Sequence, residues 1–269
     1  MSFLNSDREW ERLGQDDPYY GVLSQDRFRE GRLNEEVLRD FFKSGVDHID
    51  TMYSLIKQHV DPSFAPKRCL DFGCGVGRCL VPMAQRTESA IGVDVSESMI
   101  EEAKRVCERN QVSNTQLVMS DDALARVTGE LDFIHAVLVF QHIPPQRGLK
   151  LFSALVSRLA DHGVIAIQLP YYRDVPTAVK VMGALRKHVP LFHNLVNLLY
   201  RKPFGDPLME KNCYPLKTLF HILQTQRCAN LHVEFQGRGK FLSVILMAQK
   251  RSEWVAYEPF SEEAKETTS

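Results

Sequence analysis

The stretch CLDFGCGVGRCL combines an apolar run, an acid and three evenly spaced glycines. Asp71 closes the apolar run, and the glycines after it are Gly73, Gly75 and Gly77. Because glycine has no Cβ, such a loop lets a ligand approach the backbone closely. The segment therefore predicts either a cofactor site or, without a ligand, a tight turn.

The spacing of these glycines argues against a dinucleotide cofactor. A dinucleotide loop has the pattern G-x-G-x-x-G or A, but Arg78 stands where its third small residue belongs. The Asp71 carboxylate repels a neighbouring pyrophosphate and attracts an ammonium group. A ligand with a cationic amino group, a ribose and an adenine fits these residues better.

Short apolar runs alternate with helical patterns from residue 67 onward. Strands are predicted over residues 67–72, 89–95, 115–120, 131–139 and 164–169. Helices are predicted over residues 76–86, 96–110 and 144–160, with a weaker helical segment between the third and fourth strands. This alternation indicates an α/β fold, a doubly wound parallel sheet with helices on both faces.

The two ends of the chain depart from this alternation. Residues 1–66 are polar and helical, and we expect them to form an N-terminal segment or lid on a domain that spans residues 67–269. Residues 171–213 predict a mostly helical insertion without a strand. A helix over 214–226 and two alternating strands around Gly237 and Gly239 follow, which predicts a closing β-hairpin.

Composition excludes several classes of protein. The 269 residues are 44% hydrophobic and 25% charged with a net charge of −1, so no bulk basic character attracts nucleic acid or anionic membranes. The longest apolar runs are far shorter than the ~20 residues of a spanning helix, and the start does not resemble a signal peptide. The six cysteines form no C-x-x-C pair, which favours reduced thiols over a zinc site. We therefore expect a cytoplasmic protein without stable membrane insertion.

The segment LDFGCGVG resembles motif I of the class I S-adenosylmethionine-dependent methyltransferases, and later segments follow that family in order. LDFIHAVLVFQHIPP is similar to its fourth motif, and LADHGVIAIQLP is similar to its fifth-strand motif. The resemblance implies a Rossmann-like sheet of seven strands with the seventh antiparallel. It also implies S-adenosyl-L-methionine as the cofactor.

The resemblance assigns cofactor contacts to residues at the strand ends. Asp71, Gly73, Gly75 and Gly77 match the cofactor loop, and Asp94 matches the ribose-binding acid. In VMSDDA the acid that meets the adenine amino group is Asp121 or Asp122. Gln141 is also expected at the cofactor, and Tyr20 belongs to a segment that often folds over it in the family.

His142 is the candidate catalytic residue. It follows the fourth strand, where the active site of the family opens, and an imidazole with a pKa near ~6.5 can take a proton from an acceptor hydroxyl. The alternative is that His142 only fixes its loop. No cluster of acids resembles the magnesium site of catechol-type enzymes, so no metal is expected.

The acceptor is expected to be a small molecule rather than a nucleic acid. The Asn/Asp-Pro-Pro-aromatic motif of base methyltransferases is replaced by Phe140, Gln141, His142 and Ile143. The insertion 171–213 is apolar and basic, which suits a cap over an amphipathic or anionic acceptor; the alternatives are a homodimer interface or a helix that touches a membrane.

These observations predict methyl transfer to a sugar, lipid-linked or natural-product intermediate, to oxygen rather than nitrogen. An NAD-dependent oxidoreductase and a non-catalytic protein that binds S-adenosylmethionine are the alternatives. Arg78 and Asp71 count against the first, and His142 counts against the second.

Overall fold

The structure, a computed structural model, describes residues 6–189, 192–200, 211–238 and 241–253. The helices in these ranges are α1 (Ser6–Asp16), α2 (Pro18–Val22), α3 (Glu35–His59), α4 (Leu80–Ala84), α5 (Glu97–Arg109), α6 (Pro145–Ser157), α7 (Thr177–His188), α8 (Phe192–Leu199) and α9 (Leu216–Thr225). The strands are β1 (Arg68–Phe72), β2 (Ser89–Asp94), β3 (Thr115–Met119), β4 (Leu131–Ala136), β5 (Leu159–Arg173), β6 (Cys228–Arg238) and β7 (Phe241–Lys250).

The seven strands form one sheet in the order β3-β2-β1-β4-β5-β7-β6. β1 pairs in parallel with β2 on one side and with β4 on the other, so the strand order reverses between β1 and β4. β7 is antiparallel to both β5 and β6. The predicted doubly wound sheet with an antiparallel seventh strand is thereby confirmed. In open α/β sheets, ligands bind beside such a reversal, at the carboxyl ends of the strands.

Alternate residues of the strands face two different layers of helices. On one face, Leu155 of α6 and Leu223 of α9 pack in the same cluster as Ile134 of β4. On the other face, Ile49 of α3 packs in a cluster with Phe133 of β4. Each such side chain, when fully buried, contributes about 1.5–3 kcal/mol, so both faces stabilise the sheet.

The long helix α3 joins the N-terminal segment to the sheet. The side chain of Asn34 caps it by accepting a hydrogen bond from the amide of Val37, an interaction worth about 1 kcal/mol. At Gly45 a Cβ would collide with the carbonyl group of Arg78. Helix α3 therefore packs directly on the backbone that follows the glycine loop.

Several predicted elements differ from the structure in extent or existence. The helix expected over 76–86 begins only at Leu80, because Gly77 adopts a left-handed φ of +87° and its amide closes a turn onto Cys74. β5 runs past the expected 164–169 to Arg173, because β7 pairs with it that far. The weak helical segment between β3 and β4 forms turns instead.

The helical character predicted for the N-terminal segment and for the insertion is present in α1–α3 and in α7 and α8. Contrary to the expectation of no strand, the insertion 171–213 begins inside β5. Residues 190–191 and 201–210 of the insertion, and Gly239 of the predicted hairpin turn, lie outside the described residues. No described helix has the length and apolar character needed to cross a membrane.

A buried chain of three side chains connects β1, β4 and α3. The carboxylate of Asp71, which is 3% exposed, lies 2.8 Å from Nδ1 of His135. Nε2 of His135 lies 2.9 Å from Nε2 of His48. An ionised carboxylate only accepts, so His135 carries its proton on Nδ1 and accepts at Nε2 from the Nε2–H of His48. Asp71, expected to face an ammonium group of the cofactor, instead takes part in this chain.

Burial disfavours the protonated form of His48. Burial is the main cause that lowers the pKa of His48 to about 2, and the positive charge of Arg78 lowers it further. In the unfolded chain a histidine titrates near ~6.5, so below that pH the unfolded state binds one proton more than the folded state. The stability of the fold must therefore fall as the pH falls below ~6.5.

We expect His48 alone to lower the free energy of unfolding by roughly 2 kcal/mol between pH 6.5 and pH 5. His48→Gln keeps an N–H donor for His135 but does not titrate. Between the two pH values, the unfolding free energy of this variant should therefore fall by roughly 2 kcal/mol less than that of the wild type. Urea unfolding of both proteins at the two pH values measures the difference. Parallel pH dependences would contradict a neutral, buried His48.

Candidate functional site

A cleft opens at the carboxyl edge of the sheet, beside the reversal between β1 and β4. It encloses about 770 Å³ of empty space, part of it open to solvent. The ends of the first four strands, the start of α6 and the segment 6–22 line it. The parallel strands thus bring residues from distant parts of the sequence to one site.

The glycine loop forms the floor of this cleft. Gly73, Gly75 and Gly77 have φ angles of +72°, +52° and +87°, in the left-handed region that favours glycine. A Cβ at Gly73 would collide with Val139, and one at Gly75 would lie 2.5 Å from Cγ2 of Val22. Gly73 and Gly75 line the cleft and present bare backbone to it.

The carboxylate of Asp94, at the end of β2, holds the loop in place. One of its oxygens accepts from the amide of Gly75 at 2.8 Å, and the other accepts from the amide of Ser96 at 3.0 Å. Burial raises the pKa of Asp94, although these backbone hydrogen bonds oppose the rise. Asp94 lines the cleft without a cationic partner among the described ion pairs, which makes it an acceptor for neutral donors such as hydroxyl groups.

His142 lies on the opposite wall, in the 3₁₀ turn after β4. Its ring meets the ring of Trp10 edge-on, with centroids 4.8 Å apart. Nε2 of His142 lies 3.0 Å from the side-chain amide of Gln141, which donates to it in this arrangement. His142 is nearly buried yet lines the cleft, so it faces any ligand there.

Helix α1 closes the cleft from above through polar contacts with two other helices. Glu11 accepts from the hydroxyls of Ser96 and Ser98 at the start of α5. Burial alone would raise the pKa of Glu11, but these hydrogen bonds lower it overall. Arg147 of α6 lies 2.7 Å from Asp7 of α1. The N-terminal segment is thus fastened on both sides of the cleft.

The structure brings four of the predicted site residues to the cleft and leaves six outside its lining. The four in the lining are Gly73, Gly75, Asp94 and His142. The six outside the lining are Asp71, Gly77, Asp121, Asp122, Gln141 and Tyr20.

Local hydrogen bonds and contacts explain the positions outside the lining. Asp121 accepts from two amides in its own turn, and Asp122 pairs with Arg147 at 2.7 Å. The ring of Tyr20 lies 3.7 Å from the guanidinium group of Arg29. The side-chain amide of Gln141 donates to His142, and Gly77 lies against α5.

Sequence reasoning missed Trp10, Ser120 and Arg147, which line the cleft. Trp10 and Arg147 come from helices whose patterns carry no sign of a site, and only the folding of α1 over the sheet brings them together. Ser120 precedes Asp121 by one residue, so the acid pair in VMSDDA identified the correct strand end but not the lining residue.

The sequence is similar to two curated methyltransferases over part of its length. Over 122 residues it is 30% identical to the 23S rRNA (uracil(1939)-C(5))-methyltransferase RlmD of Haemophilus influenzae. The matched region covers 45% of this chain but only 26% of that protein. It is 29% identical over 172 residues to the magnesium-protoporphyrin O-methyltransferase of Synechocystis sp., which covers 62% of this chain and 72% of that protein.

A solved structure and a family model are also those of methyltransferases. A crystal structure of magnesium protoporphyrin IX methyltransferase from Synechocystis, with bound SAH, superposes with a TM-score of 0.54 at 20% identity over 91% of this chain and 97% of the other. A family model described as a methyltransferase domain matches residues 48–215, which is more than half of the chain. The strand ends, glycine loop and cleft described above lie in or beside that range, and the chain belongs to this family of methyltransferase domains.

Proposed function

We propose that this protein transfers a methyl group from S-adenosyl-L-methionine to a hydroxyl group of a small molecule. One observation carries the proposal: a single cleft joins the bare backbone of Gly73 and Gly75, the carboxylate of Asp94 and the imidazole of His142. The loop accepts a ligand at close range, Asp94 accepts hydroxyl donors, and His142 accepts a proton.

The residues of the cleft fit the parts of this cofactor. Asp94 is placed to accept from the vicinal hydroxyls of a ribose, since each carboxylate oxygen has a second lone pair beyond its backbone hydrogen bond. Val95 and Met99 offer apolar surface next to it. The cofactor supplies a methyl group on a sulfonium, so the main task of the protein is to align the acceptor with that methyl group.

The proton of the acceptor hydroxyl goes to His142. The amide of Gln141 fixes the imidazole by donating to Nε2, and an acceptor hydroxyl that replaces the amide would transfer its proton to that nitrogen. Trp10 covers the ring and restricts water around it. A base of this kind supports transfer to oxygen rather than nitrogen.

A small-molecule acceptor fits better than a nucleic acid. The net charge of −1 offers no electrostatic attraction to a phosphate backbone. The relative named for rRNA methylation shares only about a quarter of its length with this chain, whereas the relative named for magnesium-protoporphyrin O-methylation shares most of its length.

We also propose that the transfer uses no metal. Within the described ranges, the one group of three side chains close enough to bind a metal ion is His48, Cys79 and His135, and none of them lines the cleft. Two of these side chains already hydrogen bond to each other in the buried chain.

Asp94→Ala should weaken binding of S-adenosylhomocysteine by about 1.5–3 kcal/mol, or about 10- to 150-fold, because it removes charge-assisted hydrogen bonds. Asp132→Ala is the matched control: Asp132 also accepts from two backbone amides, those of Lys67 and Arg68, but at the opposite edge of the sheet. Calorimetric titration of both variants measures the affinities. Equal affinities in the two variants would remove Asp94 from the cofactor site.

His142→Ala should lower turnover about 10²–10⁴-fold, the usual effect of losing a positioned general base. Its affinity for S-adenosylhomocysteine should stay within a few-fold, because the cofactor contacts come from other strand ends. A screen of hydroxylated acceptors with radiolabelled methyl donor supplies the substrate, and steady-state kinetics then compare the variant with the wild type.

His221→Ala, on the exposed surface of α9, is the control for loss of a histidine and should keep full turnover. If His142→Ala also keeps full turnover, then His142 only fixes its loop. If it loses cofactor binding instead, then His142 belongs to the cofactor site.

A further inference from the structure

Exposed apolar side chains are concentrated in one part of the molecule. Among the described residues, every large apolar side chain that is exposed lies between Tyr172 and Leu242. Most of them belong to α7, α8 and the residues that directly follow these helices. Such clustering marks an interaction surface, whereas scattered exposed apolar residues do not.

The spacing in α8 places its exposed leucines on one side of the helix. Leu195, Leu198 and Leu199 are separated by three and four residues and are 53%, 61% and 75% exposed. Val196 and Asn197, on the other side, are buried. In α7, Val181, Met182 and Leu185 are exposed as well. We call the exposed apolar side chains of these two helices the docking face.

Positive charge is concentrated in the same segment. Residues 171–217 contain eight Lys and Arg against three Asp and Glu, whereas the whole chain has a net charge of −1. The rest of the chain is therefore net negative. Lys211 and Lys217 of this segment are exposed. An apolar face within a basic segment is complementary to an anionic lipid surface.

The segment that carries the docking face is joined to the cleft. The amide of Asn212 donates to the carbonyl of Gln141 at 2.7 Å, next to His142. The hydroxyl of Tyr214 lies 2.8 Å from the carbonyl of Ile143, on the other side of His142. The part of this segment that follows residue 210 thus lies against the wall of the cleft that holds His142.

We propose that α7 and α8 dock this protein onto an anionic lipid bilayer, with the docking face in the interface. No described helix can span a membrane, so the helices lie on the surface. A second copy of the chain fits this face less well, because it would bring two segments of the same charge together.

The test is sedimentation of the full chain with vesicles. We expect several-fold more protein to pellet with phosphatidylcholine vesicles that contain phosphatidylglycerol than with pure phosphatidylcholine, and the difference should shrink at high salt. The variant L198E/L199E should lose this binding. The control S113E/Q116E adds the same charge at exposed positions near β3 and should bind as the wild type does.

Thermal unfolding and S-adenosylhomocysteine titration show whether L198E/L199E is folded, and Leu195→Glu is the second variant if it is not. The proposal is overturned if the wild type stays in the supernatant with anionic vesicles, or if the control loses binding as much as the variant. A dimer in light scattering that L198E/L199E dissociates would assign the face to a second copy instead. None of these outcomes depends on whether the cleft transfers methyl groups.

Discussion

The site depends on one carboxylate, that of Asp94, which fixes the glycine loop by accepting the amide of Gly75. The loop can take this shape only because Gly73 and Gly75 adopt left-handed φ angles that other residues rarely adopt. Burial raises the pKa of Asp94 because it destabilises the ionised carboxylate. Hydroxyl groups of a ligand that donate to this carboxylate would stabilise the ionised form. The same group thus fixes the loop and presents its carboxylate oxygens to the cleft.

The remaining walls are held against this loop from two directions. From below, the hydrogen-bonded chain of Asp71, His135 and His48 joins β1 and β4 to α3, and these are the two strands between which the cleft opens. From above, Glu11 and Asp7 fasten α1 to the helices on either side of the cleft. A site that must bring two reactants into line requires walls fixed in this way.

The sequence predicted the parts of the site that follow from strand ends, and it failed where distant segments meet. Gly73, Gly75 and Asp94 line the cleft because parallel strands bring their carboxyl ends to one edge, but their role at a cofactor stays a prediction. Trp10 was missed because it lies far from His142 in the sequence, and only the fold brings the two rings together. Asp71 does not line the cleft, because adjacent strand residues face opposite ways and its neighbour Phe72 is the one that lines it.

The most direct measurement is a calorimetric titration of the wild-type protein with S-adenosylhomocysteine and, separately, with NADH. The geometry of the glycine loop and Asp94 predicts saturable binding of one S-adenosylhomocysteine per chain and no binding of NADH, because Arg78 stands where a pyrophosphate loop has its third small residue. Tight binding of NADH without binding of S-adenosylhomocysteine would contradict the account and assign the cleft to a dinucleotide.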